Sequence, residues 1–169
     1  LKNILVATDF GEAADAALTY GRALAKQFGA RLHVVHVADN SAARVVSGEG
    51  YTGAFLDDLD RDIEAAARTE LDELLIDNDP TPADVTPAVV LSTAPADEIV
   101  QYARRANVDL IVLGTHGRTG LTHLFVGSVA ERVVRTAPCP VLTVRHPEHE
   151  FVRADVPAVV THEADRSRT

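Results

Sequence analysis

The sequence predicts an α/β fold: a single open five-stranded parallel sheet, order 3-2-1-4-5, with helices on both faces. Three observations carry this. Apolar runs of strand length alternate with helical patterns along the 169 residues, giving β-α-β-α-β-α-β-α-β. The runs are continuous rather than alternating, as suits parallel strands covered on both faces. Each connection holds a helix, which right-handed crossovers between parallel strands require. The order 3-2-1-4-5 is the common one for five strands, and it makes strands 1 and 4 neighbours. Ligands in such sheets bind beyond the carboxyl ends of the strands, where the strand order reverses.

Residues 2–8 read as the first strand, through Ile4, Leu5, Val6 and Ala7, and Asp9 closes it. Residues 11–28 then place Ala14, Ala17, Leu18, Gly21, Leu24, Ala25 and Phe28 at helical spacing, with Gly29 as the C-terminal stop. The second strand, 31–38, is built on Leu32, Val34, Val35 and Val37. Residues 39–53 break the pattern with serines and glycines, and are longer than the roughly two to six residues usual at such a connection. This stretch reads either as a cover over the binding site or as a tolerated insertion, and its Arg44 is a candidate phosphate contact. A long helix over 54–77 follows, apolar at Leu56, Leu59, Ile63, Ala67, Leu71, Leu74 and Leu75. Its many carboxylates are spread rather than convergent, so they read as a solvated face and not as a cation site.

Residues 84–91 form the third strand, and Pro87 within it argues for an edge position. Thr93 is the expected N-cap of the next helix, with Pro95 in the first turn and Asp97 and Glu98 favourable to the helix dipole. That helix buries Ile99, Val100, Ala103 and Ala106. A fourth strand at 108–113, a helix at 129–135 and a fifth strand at 140–145 complete the alternation.

Between strand 4 and the last helix lies GTHGRTGLTHLFVGS, residues 114–128. A buried strand, a glycine-bearing loop and a helix start suit anion capture, because unpaired N–H groups point outward there with the positive end of the dipole. The glycines run Gly114, two residues, Gly117, nine residues, Gly127, followed by Ser128. This is not a P-loop, which needs a Lys before its final hydroxyl residue, nor the dinucleotide fingerprint, whose glycines are spaced differently. Backbone N–H groups around Gly127, Ser128 and Val129 are the expected phosphate donors, and Arg118 is the nearest cation. Three charge-assisted bonds and a helix terminus sum to roughly 5 to 10 kcal/mol gross, and burial of a base would add to it, which puts micromolar binding, about 8 net, within reach without a lysine. Against this, Ser128-Val-Ala-Glu131 also fits a capping box that would satisfy the helix start unaided. The assumed strand order sets Asp9 opposite Gly114, although Asp9 also fits a helix-start carboxylate.

Acidic residues number 25 against 16 basic ones, a formal net charge of −9. Such a field disfavours nucleic acid and anionic membranes as partners, and a nucleotide would be taken up with a divalent cation shielding its phosphates. No apolar run approaches the ~20 residues that span a bilayer, so membrane insertion is not expected. The single cysteine, Cys139, cannot form an internal bridge and fits a reducing compartment; with no charged-then-apolar leader ahead of the first strand, the expectation is a soluble cytoplasmic protein. Cys139 reads as a small buried filler. His33 and His36, three apart on a strand, point to opposite faces and cannot chelate together. His116 is placed to meet a phosphate or solvent, and His146 with His149 is a weak metal pair.

The pattern at Gly114, Gly117, Gly127 and Ser128 resembles the universal stress protein family, specifically its ATP-binding branch, whose motif is G-2x-G-9x-G-(S/T). The resemblance covers residues 2–145 and implies a Rossmann-like, adenine nucleotide alpha hydrolase-like domain over 1–145. Residues 146–169 are then an added tail that extends the sheet, lies across a partner subunit or stays disordered. It implies binding of ATP with Mg2+ or Mn2+, the nucleoside contacted by Asp9 and the adenine lying by the backbone of Val37, with Ala7, Thr8 and Leu113 around it. The expected nucleotide site is therefore Ala7, Thr8, Asp9, Val37, Leu113, Gly114, Gly117, Arg118, Gly127, Ser128 and Val129, with no metal ligand and no catalytic residue. The resemblance also implies a homodimer through the strand at 140–145. The function so implied is a nucleotide-dependent stress-response sensor or regulator with an unidentified protein partner. The alternatives are a slow ATPase, a binder of AMP or a cyclic nucleotide, and an interaction protein that needs no nucleotide; no Asp, Glu or Lys is obviously placed to activate water.

Overall fold

The computed structural model describes residues 1–41, 53–76, 84–115 and 127–145. Five strands, β1 (Asn3–Thr8), β2 (Arg31–Ala38), β3 (Val85–Leu91), β4 (Leu110–Gly114) and β5 (Val141–Val144), form one parallel sheet in the order β3-β2-β1-β4-β5. Among the described residues, helices α1 (Glu12–Phe28), α2 (Gly53–Ile76), α3 (Pro95–Arg105) and α4 (Ser128–Thr136) join them. The expected fold class and strand order hold, with boundaries shifted by one or two residues. The largest shift is at β4, which begins at Leu110 rather than at 108. Asn107 takes a left-handed φ of 49° where the chain leaves α3, and the Asp109 carboxylate accepts the amides of Lys2 at 2.6 Å and Asn3 at 2.9 Å just before the ladder starts.

The unbroken apolar runs are explained by two cores. Ile4, Val6, Leu32 and Val34 pack on one face against Ala17, Leu18 and Ala25 of α1 and Leu71 of α2. Their neighbours Leu5, Val35, Ile111 and Leu113 pack on the other face against Ile99, Val100 and Ala103 of α3 and Ala130 and Val133 of α4. Strand residues alternate between faces, and both faces are covered, so consecutive positions along the strands are mostly apolar. The approach of α1 to β1 is close enough that a Cβ on Gly21 would run into Cγ2 of Val6. Gly29 ends α1 as expected, at φ 60°, with Ala30 N–H returning to Ala25 O at 2.9 Å. On α2 only Ala67 and Leu71 are buried, and its carboxylates are solvated apart from partly covered Asp60.

Pro87 does lie on an edge strand, and the ladder shows why it is tolerated. Leu32 donates to Asp84 O at 2.9 Å and Ser92 donates to Ala38 O at 3.0 Å, so even-numbered residues of β3 bond toward β2. The N–H that Pro87 lacks would point away from the sheet. At the other edge, Ile111 donates to Pro140 O at 3.0 Å and Thr115 to Val144 O at 2.8 Å, so Leu142 bonds inward and Val141 and Thr143 turn their backbone groups outward.

The expected Thr93 N-cap is not formed. Pro95 takes the first helical position, which its missing N–H suits, and this makes Ala94 the N-cap, without a side-chain cap bond. The hydroxyl that braces the turn is Ser92 Oγ, accepting from Ala94 N–H at 3.2 Å. Among the described residues no helix is long and apolar enough to cross a membrane. Residues 42–52, with Arg44, and the tail 146–169, with His146 and His149, lie outside the described residues.

Candidate nucleotide site

Beyond the carboxyl ends of β1 and β4 lies a cavity of about 330 Å³, at the lower end of the roughly 300–1,000 Å³ usual for small-molecule sites. Of the residues expected from the sequence, Ala7, Thr8, Asp9, Val37, Leu113, Gly114, Gly127, Ser128 and Val129 line it. Gly117, Arg118 and His116 fall outside the described residues. The fold adds Ala14, Val35, Pro95, Ile99, Thr115 and Ala130. Val35 was reachable from Val37 by strand alternation, and Thr115 sits inside the glycine motif. Ile99 and Pro95 carried no such signal, because their place depends on which face α3 covers.

Strand alternation builds an apolar floor. Val35 and Leu113 face α3 and α4, where Ile99 and Ala130 meet them in the same packed cluster, with Ala7 and Val37 against its edge. The rim is polar, with Thr8, Asp9, Thr115 and Ser128. A flat apolar group fits such a floor, and an anion fits the rim wherever N–H groups are open.

At α4 the structure corrects two sequence expectations. The capping box is absent: Gly127 is the N-cap, Ser128 is the first helical residue, and no side chain caps the helix. A box needs Ser at the N-cap and Glu at the third helical position; with Ser128 already inside the helix, Glu131 sits one position too far along. Its carboxylate instead pairs with Arg135 of the next turn. The second correction concerns the donors. Gly127 N–H bonds to Thr115 O at 2.6 Å, so it joins the two ends of the loop and is not open to a ligand. The first intrahelical bond runs from Glu131 N–H to Gly127 O at 2.9 Å, leaving the N–H groups of Ser128, Val129 and Ala130 without an intrahelical acceptor.

Gly114 also has a reason that the motif does not suggest. A Cβ there would lie 2.7 Å from the carbonyl carbon of Ala13 and 2.8 Å from its oxygen and Cβ. The glycine clears the first turn of α1, and β4 can end beside it only because that space is empty. Gly127, at φ −54° and ψ 149°, has a backbone that any L-residue adopts, so what glycine supplies there is the missing side chain.

Asp9 sits both ahead of a helix start and at the cavity. Its Oδ1 accepts from Gly11 N–H at 3.1 Å ahead of α1, and the residue lines the cavity. Arg132 of α4 grips Asp97 of α3 through two bonds of 3.0 and 2.8 Å, tying together two helices that wall the cavity.

The histidines fall on opposite faces of β2, as expected. His33 Nδ1 lies 3.0 Å from the hydroxyl of Tyr102 of α3; burial, then the nearby Arg31 charge, hold its pKa below the usual value against a partial opposing pull from Asp84. His36 Nδ1 bonds Thr8 O at 2.9 Å on the α1 side. No group of three or more His, Cys, Asp or Glu among the described residues could hold a metal ion. Cys139 is half-buried rather than buried, packed beside the α3/α4 core; burial, then the Asp109 charge, push its thiol pKa up, which keeps it a poor nucleophile.

Residues 1–145 match the family described as Universal stress protein family. The chain is 32% identical over 149 residues to Universal stress protein MJ0531 of Methanocaldococcus jannaschii, covering 88% of this chain and 85% of that one. It is 36% identical over 144 residues to a Thermus aquaticus universal stress protein encoded in the 3′ region of a QAH/OAS sulfhydrylase, covering 85% and 98%. Among solved structures, MJ0577 of Methanocaldococcus jannaschii superposes with a TM-score of 0.74 at 28% identity, covering 88% of this chain and 98% of that one.

Proposed function

The chain belongs to the universal stress protein family, and from that premise we propose that it binds ATP with a divalent cation beyond the carboxyl ends of β1 and β4. It then serves, in the cytoplasm, as a nucleotide-dependent regulator of the stress response. One observation carries this reading: a single cavity combines an apolar floor of Val35, Val37, Ile99 and Leu113 with the uncapped start of α4. The floor suits a purine, and the N–H groups of Ser128, Val129 and Ala130 suit its phosphates. The net charge of −9 repels a bare polyphosphate, which favours the cation-shielded form.

The same reading makes the protein a homodimer. Among the described residues, the outward backbone groups of Val141 and Thr143 leave β5 as an edge strand, whereas Pro87 spoils the opposite edge for pairing. A second β5 running antiparallel would pair them through up to about four hydrogen bonds.

The test begins with protein purified without added nucleotide, denatured, and its released small molecules identified by mass spectrometry. The stripped protein is then titrated calorimetrically with Mg-ATP, with ATP in chelator, with AMP and with a cyclic nucleotide. Micromolar binding of Mg-ATP is expected, lost in Gly127→Val, whose backbone conformation accepts the new residue. Tighter AMP or cyclic-nucleotide binding would replace ATP as the ligand, and a single-turnover assay on the ATP complex separates a binder from a slow ATPase. No released nucleotide and no heat with any of them would end the nucleotide reading.

A further inference from the structure

We propose that His36 is a positioning residue for the nucleotide site, holding the β1–α1 turn so that Asp9 stays at the cavity rim. The inference rests on the reading of that cavity as the nucleotide site. Its starting point is Phe10, which has a φ of 63°, a left-handed conformation that a bulky aromatic residue rarely adopts and that glycine would take without strain. Strain of this kind persists where the surroundings fix the backbone several times over.

The surroundings here do so. The chain leaves β1 at Thr8 and enters α1 at Glu12, so Asp9, Phe10 and Gly11 make the whole turn. Thr8 Oγ1 accepts from Phe10 N–H at 3.0 Å, and Asp9 Oδ1 accepts from Gly11 N–H at 3.1 Å. His36, the register partner of Thr8 on β2, then holds the turn from outside it. Its Nδ1 lies 2.9 Å from Thr8 O. A carbonyl only accepts, so Nδ1 carries the proton. The Phe10 ring lies against the imidazole with centroids 4.3 Å apart and planes tilted by 38°.

His36 therefore touches the residue before Asp9 through a hydrogen bond and the residue after it through a ring contact, while its own ring lies on the sheet face away from the cavity floor. A glycine at position 10 would make the turn without strain but would lose the ring contact, and with it one of the two attachments. The left-handed phenylalanine is accounted for if Asp9 must be held still.

The experiment measures Mg-ATP affinity for the wild type, His36→Phe and His36→Asn, each with Asp9 intact and in an Asp9→Ala background. His36→Phe keeps a ring against Phe10 and loses the donor; His36→Asn places an amide N–H near Nδ1. Expected are a roughly 3- to 10-fold loss in His36→Phe, the size of one hydrogen bond, substantial recovery in His36→Asn, and no further loss when Asp9 is already alanine. An equal loss in both backgrounds would show that His36 acts on the fold in general, and an unchanged affinity in His36→Phe would show that it does not act at all; either overturns the proposal. Amide hydrogen exchange at Phe10 and Gly11, measured without nucleotide, keeps the two readings apart. If the wild type binds no nucleotide, the nucleotide reading fails. The clamp then stands only if exchange at both amides rises at least about 10-fold in His36→Phe and returns in His36→Asn, and unchanged exchange overturns it.

Discussion

Replacing Gly114 by alanine separates two explanations of the same motif residue. Gly114 does not have a positive φ, and at such a position Gly→Ala ordinarily stabilises by about 0.4–1 kcal/mol, because the unfolded chain loses freedom. The packing argues the other way. The new Cβ would sit 2.7 Å from the Ala13 carbonyl carbon and 2.8 Å from its oxygen, and these are backbone atoms of the first turn of α1, which cannot swing aside as a long side chain can. Overpacking costs about 1–3 kcal/mol, and contact with backbone belongs at the upper end. The net is a destabilisation of roughly 1–3 kcal/mol, or a fall in Tm of about 3–10 °C for a chain of this size. Far-UV circular dichroism melts and urea unfolding without nucleotide read it directly. Adding Ala13→Gly removes the Cβ contact but leaves the carbon and oxygen contacts, so it should restore only part of the loss. A Gly114→Ala protein that melts at or above the wild-type temperature would refute the steric argument and return this glycine to the ligand.

Three further outcomes are expected. His33 has its pKa held below 6.5 by burial, so the unfolded chain takes up this proton first. Its contribution to stability is present above about pH 6.5 and is lost as the pH falls below it; His33→Phe should show a shallower decline in urea midpoint between pH 7.5 and 5.5, and an identical decline would sink the assignment. The Asp97–Arg132 pair is bidentate but its side chains are 40% and 61% exposed, so a double-mutant cycle should give a coupling of only about 0.5–1 kcal/mol, much reduced in ~0.5 M salt. Thr143→Pro removes an outward N–H from β5 without touching the bonds to β4, and should convert the proposed dimer to a monomer in sedimentation equilibrium; a dimer that persists uses another face.

The sequence was most legible where a rule acts on neighbours in the chain. Continuous apolar runs announced strands covered on both faces, Gly29 announced the end of α1, and Pro87 announced an edge. The switch point followed from topology and brought Asp9 and Gly114 together across the length of the domain. What stayed hidden were choices settled by one residue of register or by packing at a distance. Whether Ser128 or Gly127 caps α4 changes which donors are open, and both fit the local pattern. Thr93 and Ala94 posed the same problem, decided by Pro95 requiring the first helical position. That Gly114 makes room for Ala13 could not be read without the fold, since the two lie about 100 residues apart.

In a parallel α/β sheet every helix starts at the same edge, so α1, α3 and α4 all begin at the one rim, and none of the three has a side-chain cap bond. An uncapped start is therefore not enough to choose where an anion goes. The carboxylates choose. The first turn of α1 carries Glu12 and Asp15, with Asp9 just ahead of it, and that of α3 carries Glu98 beside an Asp97 that Arg132 of α4 holds. At α4 the sole first-turn acid is Glu131, drawn along the helix by Arg135. The rim is thus acceptor-bearing at Asp9 and donor-bearing at Ser128, Val129 and Ala130. A nucleotide is polar in the same sense, with hydroxyl donors on its sugar and anionic oxygens on its phosphates. Under the proposed reading it therefore enters in one orientation, phosphates on α4 and ribose toward Asp9, which is why the exact position of a single carboxylate at the β1–α1 turn would matter to binding.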